Sequence, residues 1–495
     1  MKLSLPSTPP ITLSEQSWRA AILYLAAAAV LLRLFELDLK PFHHDEGVNG
    51  WFLLNLVRPP HTYRYNPANY HGPTLYYMAW ASSALFGLTT FSLRLVPALF
   101  GLLTIALILP LRRHLGDIGT LAAMALLTLS PGAVFHSRYF IHEGILVCAT
   151  LGVVVGVLDY LRGNSMRGML VSAFSAAMMA ATKETWFISI GVLVCAVLGT
   201  VVWCRIPVKS VTPLRPGVRV LAAGLAVFLG LNLLFYSSFF TNPQGPWDFF
   251  RAYNVWSNTG VVAHVGPWFR YLRWLSDLEL PLLVGGLAGA MLAAWRRDNA
   301  FAVFTGLWAV GIMAAYMLIP YKTPWLTLNF LPPLALSAGY LVSTLARIRF
   351  DGWRQLVLAL GGVVLVVTTF QTVRLNFLRF DDDRQPYVYA QTSREVLALV
   401  DAVGDLVSRT PKRVPVVVMV PHEYQFPLPW YLRDVAAGYP GTVENLDEGV
   451  AILTESQEQE AIRVLGDRFV RIGGYHLRTG TRLVVYASSG LAPKT

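Results

Sequence analysis

Between residues 20 and 374 the chain alternates long apolar runs with short polar turns. Eleven runs are 16–23 residues long, and a bilayer core of about 30 Å is crossed by roughly 20 helical residues. They predict membrane-spanning helices over 20–39, 91–111, 117–135, 143–161, 167–182, 186–204, 218–240, 280–295, 300–319, 326–345 and 355–374. A twelfth run, 73–88 (PTLYYMAWASSALFGL), carries Tyr76, Tyr77 and Trp80, residues suited to the headgroup level. Beyond 374 the pattern changes. Gln391–Val407 has helical spacing, with Thr392 or Ser393 as its N-cap. Val414–Val420 and Arg482–Ala487 read as strands, and 458–468 as a second helix. The expected fold is an all-α polytopic membrane domain, 1–374, followed by a small soluble α/β domain, 375–495.

Composition supports that division. Of the 495 residues, 55% are hydrophobic and 14% charged, with a mean hydropathy of +0.49; soluble domains run about 25% charged. Residues 1–374 hold 27 Lys/Arg against 14 Asp/Glu, and residues 375–495 hold 13 against 15. The net charge of +11 therefore resides in the membrane part. Its basic residues sit in short loops, so membrane topology accounts for them and no nucleic-acid partner is expected. Cys148, Cys195 and Cys204 lack metal-ligand spacing and read as small buried hydrophobes.

Sidedness follows from the positive-inside rule. If 73–88 does not span and the N-terminus is cytoplasmic, the inner segments 1–20, 111–118, 161–168, 203–219, 295–299 and 345–355 hold 15 Lys/Arg. Their acidic residues are few: Glu15, Asp117, Asp298 and Asp351. If 73–88 spanned, every later basic loop would face out. The run is therefore expected to be re-entrant or interfacial, and the C-terminal domain extracytoplasmic. The expected location is the cytoplasmic membrane.

Ionisable residues then gather at the outer ends of the spans. They are His43-His44-Asp45-Glu46, His71, Arg138 with His142 and Glu143, Lys183-Glu184, and Lys322. A carboxylate beside a span suits a general base. Basic groups on neighbouring turns suit a phosphate leaving group. Each also has a plain structural reading: Asp45 or Glu46 as a helix N-terminal charge, Arg138 with Glu143 and Lys183 with Glu184 as interfacial ion pairs. The HHDE cluster also permits a divalent metal, although adjacent residues do not easily share one ion.

Several ordered blocks carry a resemblance. After the first span and acidic pair come His71-Gly72-Pro73-Thr74-Leu75-Tyr76, then Phe91-Ser92-Leu93-Arg94-Leu95-Val96-Pro97-Ala98-Leu99, then Ser130-Pro131 through Ser137-Arg138-Tyr139-Phe140 to Glu143. The chain thereby resembles the GT-C glycosyltransferases, and within them the protein O-mannosyltransferase and lipid A aminoarabinose transferase superfamily. HHDEGVNGW (43–51), ATKET (181–185), YKTPW (321–325), YVYAQTS (387–393) and WYLRD (430–434) resemble a prokaryotic branch of flippase-activity-associated glycosyltransferase-like proteins.

The resemblance implies a GT-C fold and a polyprenyl-phosphate sugar as donor, with membrane lipids around it. The acceptor is an unidentified glycan, lipid or protein hydroxyl. Asp45 matches the catalytic acidic position, with Glu46 its neighbour, and Arg138 and Glu143 match the second-loop pair. Arg138, Lys183 and Lys322 are expected to bind the donor phosphate, the two lysines assigned by their charge. His44, His71, His142, Glu143 and Glu184 are expected to support the site. No organic cofactor is expected; a divalent metal is found in some members. Two further readings stay open: a non-catalytic partner in a lipid-linked glycan pathway, and a lipid-linked sugar transporter or flippase.

Overall fold

The computed structural model describes residues 11–61, 63–163, 165–207, 216–262, 264–348, 352–409 and 413–492. Lys2, Lys209, Arg215, Arg349 and Asp351, used above in the sidedness argument, lie outside the described residues. The chain forms two compact units. One comprises Met1–Leu37 with Arg64–Leu378, the other Asp38–Tyr63 with Arg379–Thr495. The break near 378 falls four residues beyond the expected boundary, and Asp38–Tyr63 joins the C-terminal unit.

In chain order the helices begin with α1 (Glu15–Leu34), α2 (His44–Val57), α3 (Thr74–Phe86), α4 (Thr90–Ala106), α5 (Arg112–Leu129), α6 (Pro131–Ser137) and α7 (Glu143–Gly163). Then come α8 (Met166–Ala180), α9 (Trp186–Trp203), α10 (Val218–Tyr236), α11 (Gly245–Val262), α12 (Arg270–Leu278), α13 (Leu280–Arg296) and α14 (Ala300–Leu318). A 3-10 turn, Pro324–Asn329, precedes α15 (Leu331–Leu345) and α16 (Trp353–Val373). All but α2 belong to the first unit.

Each of the eleven expected spans overlaps a helix. Among the described residues, eight stretches are long and apolar enough to cross a membrane, or nine if the pair α12–α13, bent by 113°, counts as one. The difference from eleven lies in three places. Thr90–Leu129 counts as one 40-residue stretch, although α4 and α5 are separate helices and Gly116 (φ 72°) interrupts the start of α5. The second place is the bent pair. The third is α8, only 15 residues long. The run 73–88 forms α3, whose 13 residues extend about 20 Å at 1.5 Å per residue. Cys148 is buried as expected, whereas Cys195 is exposed on the side of α9.

Small residues set the helix crossings around α15. A Cβ on Gly339 would lie 2.4 Å from the Gly119 carbonyl oxygen of α5, and one on Gly289 of α13 would lie 2.0 Å from that of Ser337. Without an added side chain the backbones approach closely, the usual basis of helix association in lipid.

The second unit is an α/β domain. Its remaining elements are α17 (Glu395–Ser408), β1 (Val416–Val418), α18 (His422–Gln425), α19 (Leu428–Tyr431), β2 (Ala437–Gly438), β3 (Val450–Thr454), α20 (Glu458–Leu465), β4 (Phe469–Arg478) and β5 (Thr481–Ser488). The sheet order is β2-β1-β3-β5-β4, with β1 parallel to β2 and β3, and β5 antiparallel to β3 and β4. Val396, Leu399, Val403 and Leu406 form one face of α17 and bury it against Val416, Ile452 and Val485. The first helix starts at Glu395, so Thr392 and Ser393 precede it and Arg394 occupies the N-cap position. Gln391 is used elsewhere: its amide donates to the Pro41 carbonyl at 3.0 Å.

That bond helps explain why Asp38–Tyr63 belongs here. Phe42 stacks on Trp430, with ring centroids 5.1 Å apart, and its N–H donates to the Tyr431 hydroxyl at 2.8 Å. Helix α2 lies close because two of its residues are glycines. A Cβ on Gly47 would be 2.6 Å from Pro427 Cα, and one on Gly50 would be 3.0 Å from the Trp430 ring. The blocks HHDEGVNGW, YVYAQTS and WYLRD thus meet in one unit.

The crossings yield a simple expectation. Gly289→Ala and Gly339→Ala should each lower stability by about 1–3 kcal/mol through overpacking. Gly362→Ala in α16, where an added Cβ meets nothing within 4 Å, should be neutral or slightly stabilising. Thermal unfolding of the detergent-purified variants measures the contrast.

Candidate active site

In the first unit, three loops bring His71, His142, Glu143, Lys183 and Glu184 together. The HGPT segment docks on the turn between α8 and α9: Gly72 N–H donates to Thr182 O at 3.0 Å, Thr74 N–H to Ala181 O at 3.2 Å, and Thr74 Oγ1 to Ala181 O at 2.6 Å. A Cβ on Gly72 would lie 2.1 Å from the Ala181 oxygen, so this docking requires glycine. It sets His71 Nδ1 2.8 Å from Glu184 Oε2. The His71 and His142 rings lie 4.7 Å apart, and Tyr76 closes edge-on over His142 at 5.6 Å. Lys183 forms an ion pair with Glu143, both side chains buried.

Burial sorts these groups. It drives His142 well below the ordinary imidazole range, with His71 and Lys183 adding to the effect, so His142 is neutral near pH 7. Burial opposes the charge on Glu184, but His71 and Lys183 outweigh it and hold the carboxyl below its ordinary value. His71 is the more accessible, its side chain 26% exposed. A carboxylate on Nδ1 fixes the ring tautomer and leaves Nε2 for chemistry.

Arg138 and Lys322 are engaged by the backbone. Arg138 Nη1 donates to the carbonyls of Leu32 (3.3 Å), Arg33 (3.4 Å) and Phe35 (2.6 Å), and Nη2 to that of Glu36 (2.5 Å). It caps the end of α1, whose last carbonyls have no partner within the helix. Lys322 Nζ does the same for α14, donating to Tyr316 O at 3.1 Å and Met317 O at 3.3 Å, and also to Ile319 O. Burial lowers its pKa, and Arg270 adds to the effect. The expected phosphate ligands are thus all bound within the protein: two to carbonyls, Lys183 to Glu143. Arg138 does not pair with Glu143, nor Lys183 with Glu184, in the ion pairs the sequence suggested. Two residues the sequence reading passed over share this pattern. Arg94 donates to Leu37 O at 3.1 Å. Glu279, at the α12–α13 bend, accepts from Ser130 Oγ (2.7 Å) and Gly132 N–H (2.6 Å) at the start of α6.

The acidic pair and His44 belong to the second unit. His43 is the N-cap of α2, and a capping box forms there. Its Nδ1 accepts from Asp45 N–H at 3.1 Å, while Glu46 Oε2 accepts from His43 N–H at 2.9 Å. Burial keeps His43 well below the ordinary imidazole range, with His44 adding to the effect, which suits an accepting nitrogen. Glu46 is fully buried in the cap, and Asp45 is half-buried. Arg478, at the end of β4, lies 3.5 Å from His44 Nδ1 through Nη2. Burial lowers the pKa of this guanidinium, and Tyr424 and Asp45 counteract it. More than 400 positions separate Arg478 from α2, so no local pattern could have pointed to it. Among the described residues, no three His, Cys, Asp or Glu side chains are arranged to hold a metal ion.

Comparison with known proteins places the architecture. The chain matches ArnT of Cupriavidus metallidurans, solved bound to undecaprenyl phosphate, with a TM-score of 0.69 over 97% of this chain and 100% of that one, at 17% identity. The chain has the GT-C fold. The oligosaccharyltransferase AglB of Archaeoglobus fulgidus, solved with an inhibitory peptide and a dolichol-phosphate, matches with a TM-score of 0.58 over 97% of this chain and 75% of its own, at 13% identity. A family model described as dolichyl-phosphate-mannose-protein mannosyltransferase matches residues 70–230. That stretch includes every first-unit residue named above from His71 to Glu184. No curated protein matches in sequence.

Two expectations follow for this cluster. Lys183→Met leaves Glu143 buried without its cation and should cost about 3–5 kcal/mol; adding Glu143→Gln should recover most of the loss, which thermal unfolding of the single and double variants measures. His142 stays neutral when folded but takes up a proton when unfolded, once pH falls below its ordinary value of 6.5. Glu184, held below its ordinary 4.5, loses its contribution as pH falls through that range. Stability should therefore fall on acidification from pH 7 to 5, by up to about 1.4 kcal/mol per pH unit from His142. His43, held neutral in the same way, adds to the fall, so His142→Gln should remove only the share of the slope that His142 contributes.

Proposed function

We propose that this protein transfers a sugar from a polyprenyl-phosphate donor to an acceptor hydroxyl at the extracytoplasmic face of the cytoplasmic membrane. The observation that carries the reading is the buried cluster of His71–Glu184 and Lys183–Glu143 in a chain with the GT-C fold. Buried ionisable groups in a membrane protein are costly and mark functional sites. The polyprenyl phosphates bound by ArnT and AglB support the class of donor.

In the proposed reaction Asp45 takes the proton of the acceptor hydroxyl. The acceptor oxygen attacks the anomeric carbon as the bond from that carbon to the phosphate oxygen breaks. The polyprenyl phosphate leaves with the bonding electrons, and attack from the opposite face inverts the anomeric centre. Lys183 meets the charge on the departing phosphate, with the His71 ring, held in place by Glu184, beside it. Arg138 and Lys322, bonded to carbonyls, hold helix ends in this scheme. Glu46 caps α2 and leaves Asp45 as the base.

The test is sugar release from a panel of labelled polyprenyl-phosphate sugars by the purified protein. One donor should be hydrolysed slowly, and Asp45→Asn should reduce the rate by about 100-fold or more, the scale of a general base. No turnover and no binding across the panel would overturn the reading in favour of a non-catalytic partner.

A further inference from the structure

The second unit holds a pocket that the proposed transfer does not use. Its volume is about 180 Å³, and it lies between one face of α2 and the segment from Pro429 to Tyr439. Trp51 and Asn55 stand four positions apart on α2 and so share a face, and Arg58 follows as the C-cap of the helix. Gly47, four positions before Trp51, lies at the edge of that face, and Gly50 beside it meets the Trp430 ring. Arg433 and Tyr439 form the facing wall, and prolines from both segments stiffen the rim.

Two properties describe the ligand. The first is unmet hydrogen-bonding capacity. The Trp51 indole N–H, the Asn55 amide and the Tyr439 hydroxyl, exposed or half-buried at the pocket, make no hydrogen bond to the described residues and are open to a ligand. The second is charge. Arg58 Nη2 pairs with Asp434 at 2.7 Å, and Arg433 Nε lies 3.7 Å from the same carboxylate with its guanidinium over the Trp430 ring at 4.4 Å. Two guanidinium groups share one carboxylate, which leaves the wall positive.

Flat aromatic surface, an amide, a phenol and a net positive wall suit a small ring with an apolar C–H face, hydroxyls at its edge and one acidic substituent. We infer that this pocket binds an acidic sugar residue, a pyranose bearing a carboxylate or a phosphate. Binding there does not depend on the transfer reaction, and loss of one leaves the other testable.

Saturation-transfer NMR on the full-length protein in detergent tests it, with D-glucuronate, glucose 6-phosphate, glucose and acetate as probes. Transfer to the ring protons of the two acidic sugars is expected, at least several-fold above that to glucose, with none to acetate. Trp51→Ala and Asn55→Ala should reduce it at least several-fold. Tyr439→Phe removes a single hydroxyl and should reduce it too, which keeps the test valid if a larger truncation fails to fold. Absence of transfer to any sugar, or equal transfer in the wild type and folded Tyr439→Phe, overturns the inference. Transfer to acetate equal to that of the sugars would reduce the pocket to a plain anion site and overturn it as well.

Discussion

A cation enclosed among apolar helices must find its partner inside the protein, because the hydrocarbon around it supplies none. Much of the first unit is organised by that requirement. The last carbonyls of α1 receive Arg138 from the end of α6, and Leu37 just beyond receives Arg94 from α4. From α1 itself, Arg33 reaches the Leu127 and Thr128 carbonyls at the end of α5, at 2.9 and 3.2 Å. Each arginine satisfies helix-end carbonyls that the helix leaves open, and together they join α1, α4, α5 and α6. Lys322 serves the end of α14 in the same way. The basic residues of the FSLRL and SRYF blocks are therefore structural links in this chain.

The cluster at His71 follows from the same rule with different partners. Lys183 has Glu143, and His71 has Glu184. The two histidines differ in access. His142 is enclosed and held neutral, whereas His71 is partly exposed and rests on a carboxylate. His71 is the one of the two that a ligand can reach.

The helices were legible because hydropathy alone specifies a span, and each of the eleven apolar runs became helical. Their counting was less secure where the chain bends, as at Gly116 and Glu279, since a bend leaves hydropathy unchanged. In the second unit β5 and α20 were visible, but β4 (FVRIGGYHLR) was not. It carries two glycines and irregular register against β5, and its alternation is broken accordingly. β3 (VAILT) is a five-residue apolar run, buried throughout, too short to separate from helix by period. The site residues were legible as a set, because ionisable side chains next to spans stand out. Their roles were not, because the partners of Arg138 and Lys322 are carbonyls, which every residue carries and no sequence pattern marks.

The acidic pair shows how local geometry can resolve what composition leaves tied. Asp45 and Glu46 are adjacent carboxylates, equal candidates for a base in the sequence. Placed on α2 after His43, they become the second and third helical positions. The third position is the one from which a glutamate reaches back to the N-cap N–H, and Glu46 does so, fully buried. Asp45 is one carbon shorter and one position earlier, and its own N–H is taken by His43 Nδ1. Its carboxylate takes no part in the capping box, remains half-buried, and offsets part of the lowering that burial imposes on the Arg478 pKa. If one of the two accepts a proton in a reaction, a carboxylate already bound to the cap would have to release a helix end to do it. Asp45 would not, and the helix dipole favours its charged form at that position.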